Sequence, residues 1–474
     1  MGKKKFYLTT AIPYVNAKPH IGHAQEYVIA DAIHRYHELI GDQVFFVSGA
    51  DENALKNVLA AERAGMVPVN FLNTHAEIFR ELFQTLGVQL DTFRRGTDRT
   101  FHFPGVRELW KRCDQAGDIY SKRYSGLYCV GCESFKTEKD LVNGKCPEHN
   151  TIPEPVDEEN YFFRLSKYQQ QLTELISADR LQIFPEKRKK EILSFIHMGL
   201  EDFSISRSAK RARGVGVPVP KDKSQIIYVW FDALAIYMTA VGFGYDTALW
   251  EQWWPANLHI IGKDIIRFHA VYWPAMLLSA RLPLPKQLLV HGFIGSKGRK
   301  MSKTIGNIID PLDVIAKYGL DATRYYLLRE IPTLDDGDFT YRRFEELYNA
   351  HLANGLGNLI SRVAKLCQDS RFTFTPDRPS GFRSQVREQL SVYRLDLALG
   401  EIWKRISAAD TQIERQHPWN EGVSRKRAIL TELVASVRQI AYELQPFLPD
   451  TATAVLKQFS GPNISAAKPL FPRL

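Results

Sequence analysis

No apolar run in the 474-residue chain approaches the roughly 18 residues that a membrane-spanning helix needs. The basic start, Met1-Gly2-Lys3-Lys4-Lys5, leads straight into a strand-like stretch without a small-residue cleavage site, so the expectation is a chain with no secretory leader, no membrane partner and a cytoplasmic home. Cysteine is scarce, five residues in all, which without a secretory signal argues for reduced thiols and against a disulfide framework. Repeats and low-complexity tracts are missing too, so solenoids and repeat arrays fall away. What is present is ordinary globular composition, 45% hydrophobic and 24% charged, long enough for two to four domains. A formal net charge of +9 suits a polyanionic partner without requiring one.

The first residues with a chemical reading are Pro19-His20-Ile21-Gly22-His23-Ala24. They follow the apolar run Phe6–Ile12 and open a helical spacing through Tyr27, Ala30, Ile33 and Leu39. A strand, a loop and a helix start in that order make a phosphate site, with free backbone N–H groups and the helix dipole facing the anion. His20 and His23, three apart, point the same way, and Gly22 leaves room for a flat ligand. Val44–Gly49 reads as the next strand, completing a βαβ unit and a parallel sheet whose ligands gather at the strand carboxyl ends, where Asp51 lies.

Farther on, Cys129-Val-Gly-Cys132 and Cys146-Pro-Glu-His149 are two pairs of soft ligands with zinc-knuckle spacing. Four protein ligands leave no open position, so the ion would be structural. Glu154–Glu159 reads as extended and Tyr161–Ile176 as an amphipathic helix. The basic clusters Lys187–Lys190 and Arg207–Arg213 read as solvated faces in preference to RNA contacts. Ile226–Trp230 and Leu258–Gly262 read as returning strands of the core sheet. Gly262-Lys263-Asp264 then leads into a helical pattern through Phe268, Tyr272 and Met276. After Leu288–Val290, the stretch Gly292–Gly306 carries Lys300-Met301-Ser302-Lys303-Thr304, a cationic loop suited to a departing pyrophosphate and equally readable as a flexible surface loop. From Tyr341 the β signal stops. Leu395, Leu399, Ile402 and Ile406, and likewise Ile429, Leu433, Val437, Ile440 and Leu444, mark helical faces of a bundle of four or five helices, with Ser370–Ser384 a loop between helices.

Taken together, His20-Ile21-Gly22-His23 and Lys300–Thr304 resemble the two signatures of class I aminoacyl-tRNA synthetases. The 276 residues between them, Ala24 to Arg299, leave no room for a large editing domain. Thr10–Asn16, Tyr228–Leu234, Gly262–Ile265 and Phe268–Ala275 are similar to blocks of the methionyl-tRNA synthetase family, and the resemblance runs from about residue 5 to the C-terminus. It implies a Rossmann-type parallel-sheet catalytic domain in two halves, 1–112 and 221–295. They are split by a connective zinc-knuckle insertion at 113–220, and followed by a signature-loop and stem-contact region at 296–345 and an all-α anticodon-binding domain at 346–474.

The same resemblance implies a ligase that activates methionine with ATP and charges the tRNA for methionine, the initiator included. His20 and His23 would hold the ATP phosphates, Lys300 and Lys303 the leaving pyrophosphate, with Ser302, Gly22, Gly262 and Asp264 on the nucleotide. Mg²⁺ is expected with the pyrophosphate, held mainly by ATP itself. The methionine pocket would be Ile12, Tyr14, Trp230, Ala233, Leu234, Tyr237, Ile265 and His269, with Asp51 on the ammonium. Aromatic and aliphatic walls suit a polarizable thioether. One methylene is rejected only about 10–200-fold by such walls, so homocysteine is the expected error. Asn358 and Arg362, with Trp419 as a stacking platform, match the anticodon-reading positions.

Three departures stand out. Asp51-Glu52-Asn53-Ala54 replaces the family's common Asp-Glu-His-Gly, Thr304 replaces a serine, and the sequence ends without a C-terminal tRNA-binding extension, which favours a monomer. A cysteine-specific class I enzyme would want a thiol in the pocket, where none stands. A synthetase-like RNA-binding protein without catalysis would have no reason to keep both histidines and both lysines.

Overall fold

The computed structural model describes residues 3–131, 134–136, 138–147, 150–301, 306–375, 379 and 381–474, with backbone alone at 134, 135 and 300. The chain divides into two compact units, Met1–Pro19 with Gln43–Gln84 and Gln89–Val290, and His20–Asp42 with Thr85–Val88 and His291–Leu474.

The first unit is built on a six-stranded sheet. Its strands are β1 (Lys5–Thr10), β2 (Gln43–Ala50), β3 (Thr92–Arg95), β4 (Gln182–Phe184), β5 (Leu258–Gly262) and β6 (Gln287–His291), in the order β3-β2-β1-β5-β6-β4. Parallel registers set Phe6 against Val44, Leu8 against Leu258 and Leu288 against Ile183. The central strand β5, Leu-His-Ile-Ile-Gly, is buried at all five positions, as a strand covered on both faces must be. Trp273 and Trp253 are buried, 0% and 6% exposed.

Two expectations need correction here. Ile226–Trp230 does not rejoin this sheet. The strand Asp222–Ile227 pairs with Pro218–Val219 and Ser206–Ser208 in a separate antiparallel sheet, and the chain then enters a short buried helix, Val229–Leu234. A short, wholly apolar run has no period that separates a strand from a buried helical turn. Likewise Tyr161–Phe163 continues the strand Glu154–Phe163 against Ile119–Cys129, and the helix starts only at Gln169. Three successive aromatics favour the pleated ladder.

The second unit carries α1 (Ile21–Leu39), a small sheet of Ile294–Ser296, Arg299–Lys300 and Gly337–Phe339, and a helical body. The stretch read as one flexible loop therefore begins as a hairpin, Gly295 opposite Lys300, turned at Lys297-Gly298 with φ of 55° and 69°. Such a turn asks for a residue free of Cβ strain, and Gly298 supplies it. The helical body includes α2 (Leu320–Arg329), a π-helix at Tyr348–Gly357, α3 (Asn358–Asp369), Ser384–Ser391, α4 (Leu395–Gln416), α5 (Val423–Leu444) and Pro449–Gln458. The residues expected to face its core on α4 and α5 are all 1% exposed or less.

Candidate active site

In the first unit the residues expected to line the amino-acid pocket lie near the ends of β1, β2 and β5 and on the short helix Val229–Leu234. The chain leaving β1 bridges Tyr14 to Asp51, and Asp51 N donates to the Pro13 carbonyl at 2.9 Å. Asn57 Nδ2 reaches back to the Asp51 carbonyl, also at 2.9 Å, so Asp51 is fixed in a buried position. Trp230 stacks on Phe268, with centroids 3.7 Å apart and planes at 6°, and Tyr14 meets it edge-on at 6.2 Å. Ile12, Tyr14, Trp230, Leu234, Tyr237 and Ile265 share one apolar cluster, and Ala233 is buried beside Trp230 on the same short helix.

The polar end of this pocket has a defined proton order. His269 Nδ1 lies 3.0 Å from the Ile265 carbonyl, an acceptor, so Nδ1 carries the hydrogen. Burial lowers the His269 pKa to about 4, which makes the ring neutral and leaves Nε2 as an acceptor. The Tyr237 hydroxyl, 2.8 Å away, therefore donates to it. Tyr237 is held from behind by the Tyr7 hydroxyl on its carbonyl oxygen at 2.5 Å. Gly262 is buried at the end of β5, while Asp264 stands exposed in the 3₁₀ turn Lys263–Ile265, open to a polar ligand.

The histidine pair lies in the second unit, at the N-terminus of α1, and its geometry revises the sequence reading. The first backbone N–H groups of α1 are already engaged: Ile21 N with the Ile309 carbonyl at 3.0 Å, Gly22 N with His20 Nδ1 at 3.1 Å, and His23 N with the His20 carbonyl at 2.9 Å. His20 N in turn donates to His23 Nδ1 at 3.1 Å, so the two imidazoles form a reciprocal cap. Burial lowers the His20 pKa to about 4 and, reinforced by His20, takes that of His23 well below its ordinary value. Both rings are then neutral with Nδ1 accepting, so each hydrogen sits on Nε2. The ring centroids lie 4.1 Å apart, so the two imidazoles, and not the backbone, carry the N–H groups at this helix start. Gly22 serves the same cap, because a Cβ there would come within 2.9 Å of the His20 ring.

Residues 6–152 and 149–364 match the family described as tRNA synthetases class I (M). The chain belongs to the class I methionyl-tRNA synthetase family. It is 42% identical to a methionine–tRNA ligase of Nostoc sp. over 96% of this chain and 90% of that one, and 38% identical to one of Brucella suis over 100% and 98%. The structure of the Mycobacterium tuberculosis methionyl-tRNA synthetase in complex with methionyl-adenylate is similar with a TM-score of 0.92, at 36% identity and covering 99% of this chain and 100% of that one.

Against that family, the Asn53 departure has a structural account. Asn53 Nδ2 donates to Asp232 Oδ2 at 2.5 Å and to the Gly96 carbonyl at 2.8 Å. Asp232 also accepts from His102 Nε2 at 2.6 Å, and His102 Nδ1 meets Thr239 Oγ1 at 2.9 Å. All four side chains are buried, and the chain of bonds ties the Asp51 loop to the helix that carries Trp230. Sequence reasoning missed His102, Asp232 and Thr239; the only signal was an acidic residue inside a wholly apolar helix. Also missed was His291, whose Nε2 lies 2.8 Å from Glu26 Oε2, on the second turn of α1.

Of the signature loop, Ser302, Lys303 and Thr304 lie outside the described residues, and Lys300 is placed by its backbone at the end of the hairpin. Of the four expected zinc ligands, Cys132 and His149 also lie outside them. Cys129 and Cys146 are both buried and bracket one residue: Cys129 Sγ is 4.0 Å from Thr151 Oγ1, and Cys146 N donates to the Thr151 carbonyl at 2.8 Å. Among the described residues no cluster of three or more candidate metal ligands forms. On α3, Asn358 is exposed, whereas Arg362 is held by Asp410 at 3.4 Å and Glu414 at 2.5 Å. Trp419 is 48% exposed on a turn that follows His417 in the left-handed region, φ 41°, so it stands out from the core.

Proposed function

We propose that the chain joins L-methionine to ATP, forming methionyl-adenylate and pyrophosphate, and passes the methionyl group to the 3′-terminal ribose of methionine tRNA, the initiator included. The observation that carries this reading is the 42% identity to a methionine–tRNA ligase across 96% of the chain. A carboxylate oxygen of methionine attacks the α-phosphorus, and the bond to pyrophosphate breaks with its electron pair on the leaving oxygen. A ribose hydroxyl then attacks the adenylate carbonyl and AMP leaves. Such in-line transfer needs positioning and charge neutralisation more than acid–base chemistry.

In this reading Asp51 takes the ammonium of methionine, and Ile12, Tyr14, Trp230, Ala233, Leu234, Tyr237, Ile265 and His269 enclose its side chain. Gly262 and Asp264 hold nucleoside. The Nε2–H groups of His20 and His23 donate to phosphate oxygens of Mg²⁺-bound ATP, and Lys300, Lys303 and Ser302 meet the pyrophosphate. Cys129, Cys132, Cys146 and His149 would hold one structural Zn²⁺. Two thiols buried around Thr151 fit that donor set. Asn358, Arg362 and Trp419 read the anticodon. Residues 1–112 and 221–295 form the catalytic domain, 113–220 its insertion, 296–345 the signature-loop region and 346–474 the anticodon-binding domain of a cytoplasmic monomer. Among the described residues no helix is long and apolar enough to cross a membrane.

The test is pyrophosphate exchange run across all amino acids. Label from pyrophosphate should enter ATP with methionine alone. Exchange without any amino acid, or with cysteine and not methionine, overturns the reading. Metal analysis of the gently purified chain should return about one zinc per chain, and much less removes the knuckle.

A further inference from the structure

The helical body of the second unit holds a cavity of about 430 Å³ that the roles above leave unused. Its walls come from the end of α2, the π-helix Tyr348–Gly357 and the stretch Leu397–Asp410 of α4. Two hydrogen-bond donors in its lining, Arg329 Nε and Trp403 Nε1, are buried without a partner. Buried donors left unpaired are costly, and a native structure that keeps two in one cavity needs a reason.

Two glycines make room in front of those donors. Neither Gly355, in the π-helix, nor Gly400, in α4, is among the residues of positive φ, so no left-handed backbone requires a glycine at either position. Glycine inside a helix is destabilising relative to alanine, which leaves space as the explanation. A Cβ at Gly355 would stand 3.8 Å from Trp403 Nε1, and one at Gly400 would stand 3.7 Å from Arg329 Nη2. Each glycine therefore faces one of the two donor side chains. The π-helical turn carrying Gly355 belongs to a class of irregularity common at functional sites.

The chemistry narrows the occupant. Unpaired N–H groups ask for acceptors. Yet the same lining includes Asp410, which Arg362 contacts at 3.4 Å, and a carboxylate there opposes phosphate. A group with acceptors on one edge and an amine on another satisfies both, and a nucleobase is such a group. The volume is in the range of small-ligand sites. Tyr325 packs against Trp403 with centroids 4.4 Å apart, and the unpartnered Trp403 Nε1 lies on the ring edge, so the cavity reads an edge.

We propose that this cavity receives one unstacked base of the anticodon arm, with its acceptor edge on Arg329 and Trp403 and its amine edge toward Asp410. The proposal rests on the reading of the chain as a tRNA-charging enzyme. Asp410 ties the cavity to the expected anticodon-reading face of α3 through its ion pair with Arg362 at 3.4 Å. Unpaired RNA bases are recognised in this way, splayed out and read along their edges.

The test measures binding of the isolated anticodon stem-loop RNA of methionine tRNA to the full chain and to Gly355→Leu, which fills the space, and Trp403→Phe, which keeps a ring but removes the N–H. Both should weaken binding about 10-fold or more, while methionine-dependent pyrophosphate exchange, which involves no RNA, stays within twofold and reports an intact fold. Abasic substitutions placed one at a time around the loop should reveal a single position whose loss weakens binding to the unaltered chain and to which Gly355→Leu adds nothing further. Full affinity for the stem-loop in both variants, or additivity at every abasic position, overturns the proposal. Free adenosine, cytidine, guanosine or uridine entering the cavity while stem-loop binding is unchanged overturns it too. A chain that fails methionine exchange yet shows the single non-additive position would lose the enzymatic reading and keep this one.

Discussion

At the scale of single residues, the donors proposed for the phosphates are set by tautomer. His20 and His23 spend Nδ1 on the backbone N–H groups of Gly22 and His20, which leaves the hydrogen of each ring on Nε2. Asparagine at position 20 retains an oxygen where Nδ1 accepts, and it is a good helix cap. His20→Asn should therefore leave thermal stability within about 1 kcal/mol but slow adenylate formation by about 10²-fold, the usual cost of one lost donor to developing charge. Single-turnover kinetics and a melting curve separate the two. Because the His20 pKa is about 4, its protonation should leave no inflection near 6.5 in the pH profile of activation. Asn53 makes a second case. Asn53→Ala removes one donor from buried Asp232 and should cost about 1–3 kcal/mol. Asn53→Asp would set a carboxylate beside it and should cost more at pH 8 than at pH 5, read by urea unfolding at both. The histidine pair was legible from its spacing. Its reciprocal cap was not, because that depends on backbone angles, and the Asn53 partners lie far along the chain at Gly96 and Asp232.

Among elements, α1 is held by a buried ion pair whose partner comes from distant sequence. Arg324 on α2 pairs with Asp31 at 2.7 Å, both side chains 0% exposed. Its remaining donors go to the carbonyls of Leu86, Pro446 and Phe447. Asp31 also accepts from Arg35 at 2.7 Å. One guanidinium thus satisfies a carboxylate and three carbonyls, a pattern that lysine cannot reproduce. Arg324→Lys should cost about 3 kcal/mol or more and speed amide exchange along α1. Arg342→Ala, breaking the exposed pair with Glu346, should change stability by less than about 1 kcal/mol. Periodicity exposed α1, α4 and α5, whose apolar faces repeat over several turns. It failed at Ile226–Trp230, where a strand gives way to a helix inside one apolar run, and it gave no sign of the π-helix at Tyr348–Gly357, whose register differs from an α-helix by one residue per turn. Strand β4 escaped as well, three residues long and recruited to the edge of the sheet from the insertion.

For the whole chain, widely spaced motifs in the right order made the family legible, while the response to acid depends on burial that only the fold reveals. Five histidines, His20, His23, His259, His269 and His351, have pKa values lowered by desolvation, to about 4 for His20 and His269, well below the ordinary 6.5 for His23 and His259, and below it for His351. The unfolded chain takes up protons at these positions as pH falls through 6.5, and the folded chain refuses them until lower pH, about 4 for His20 and His269. Their stabilisation is therefore fully present above pH 6.5 and is lost as pH falls toward 4. For His20 and His269 the loss at pH 5 is roughly 2 kcal/mol each, at about 1.36 kcal/mol per pKa unit. Carboxylates act in a different window. Asp98 and Asp118 lie below the ordinary 3.8, Asp98 held there by Arg94 and the Thr100 and Phe101 N–H groups and Asp118 by Lys167, Tyr168 and Ser279, despite the opposing effect of burial, so their contribution is lost only below 3.8. Asp321, raised by burial, acts in the opposite sense. Urea midpoints should thus fall steadily from pH 7 to pH 4.5, before any carboxylate contribution is lost. His259 identifies the source. Its Nδ1 meets Thr9 Oγ1 at 2.7 Å and its Nε2 is buried without a partner, so His259→Asn keeps the one polar contact and removes the titrating ring. The slope of stability against pH between 6.5 and 4.5 should be shallower in that variant and unchanged below 3.8. An equal slope in both proteins would mean that His259 takes up its proton as readily in the fold as in the unfolded chain.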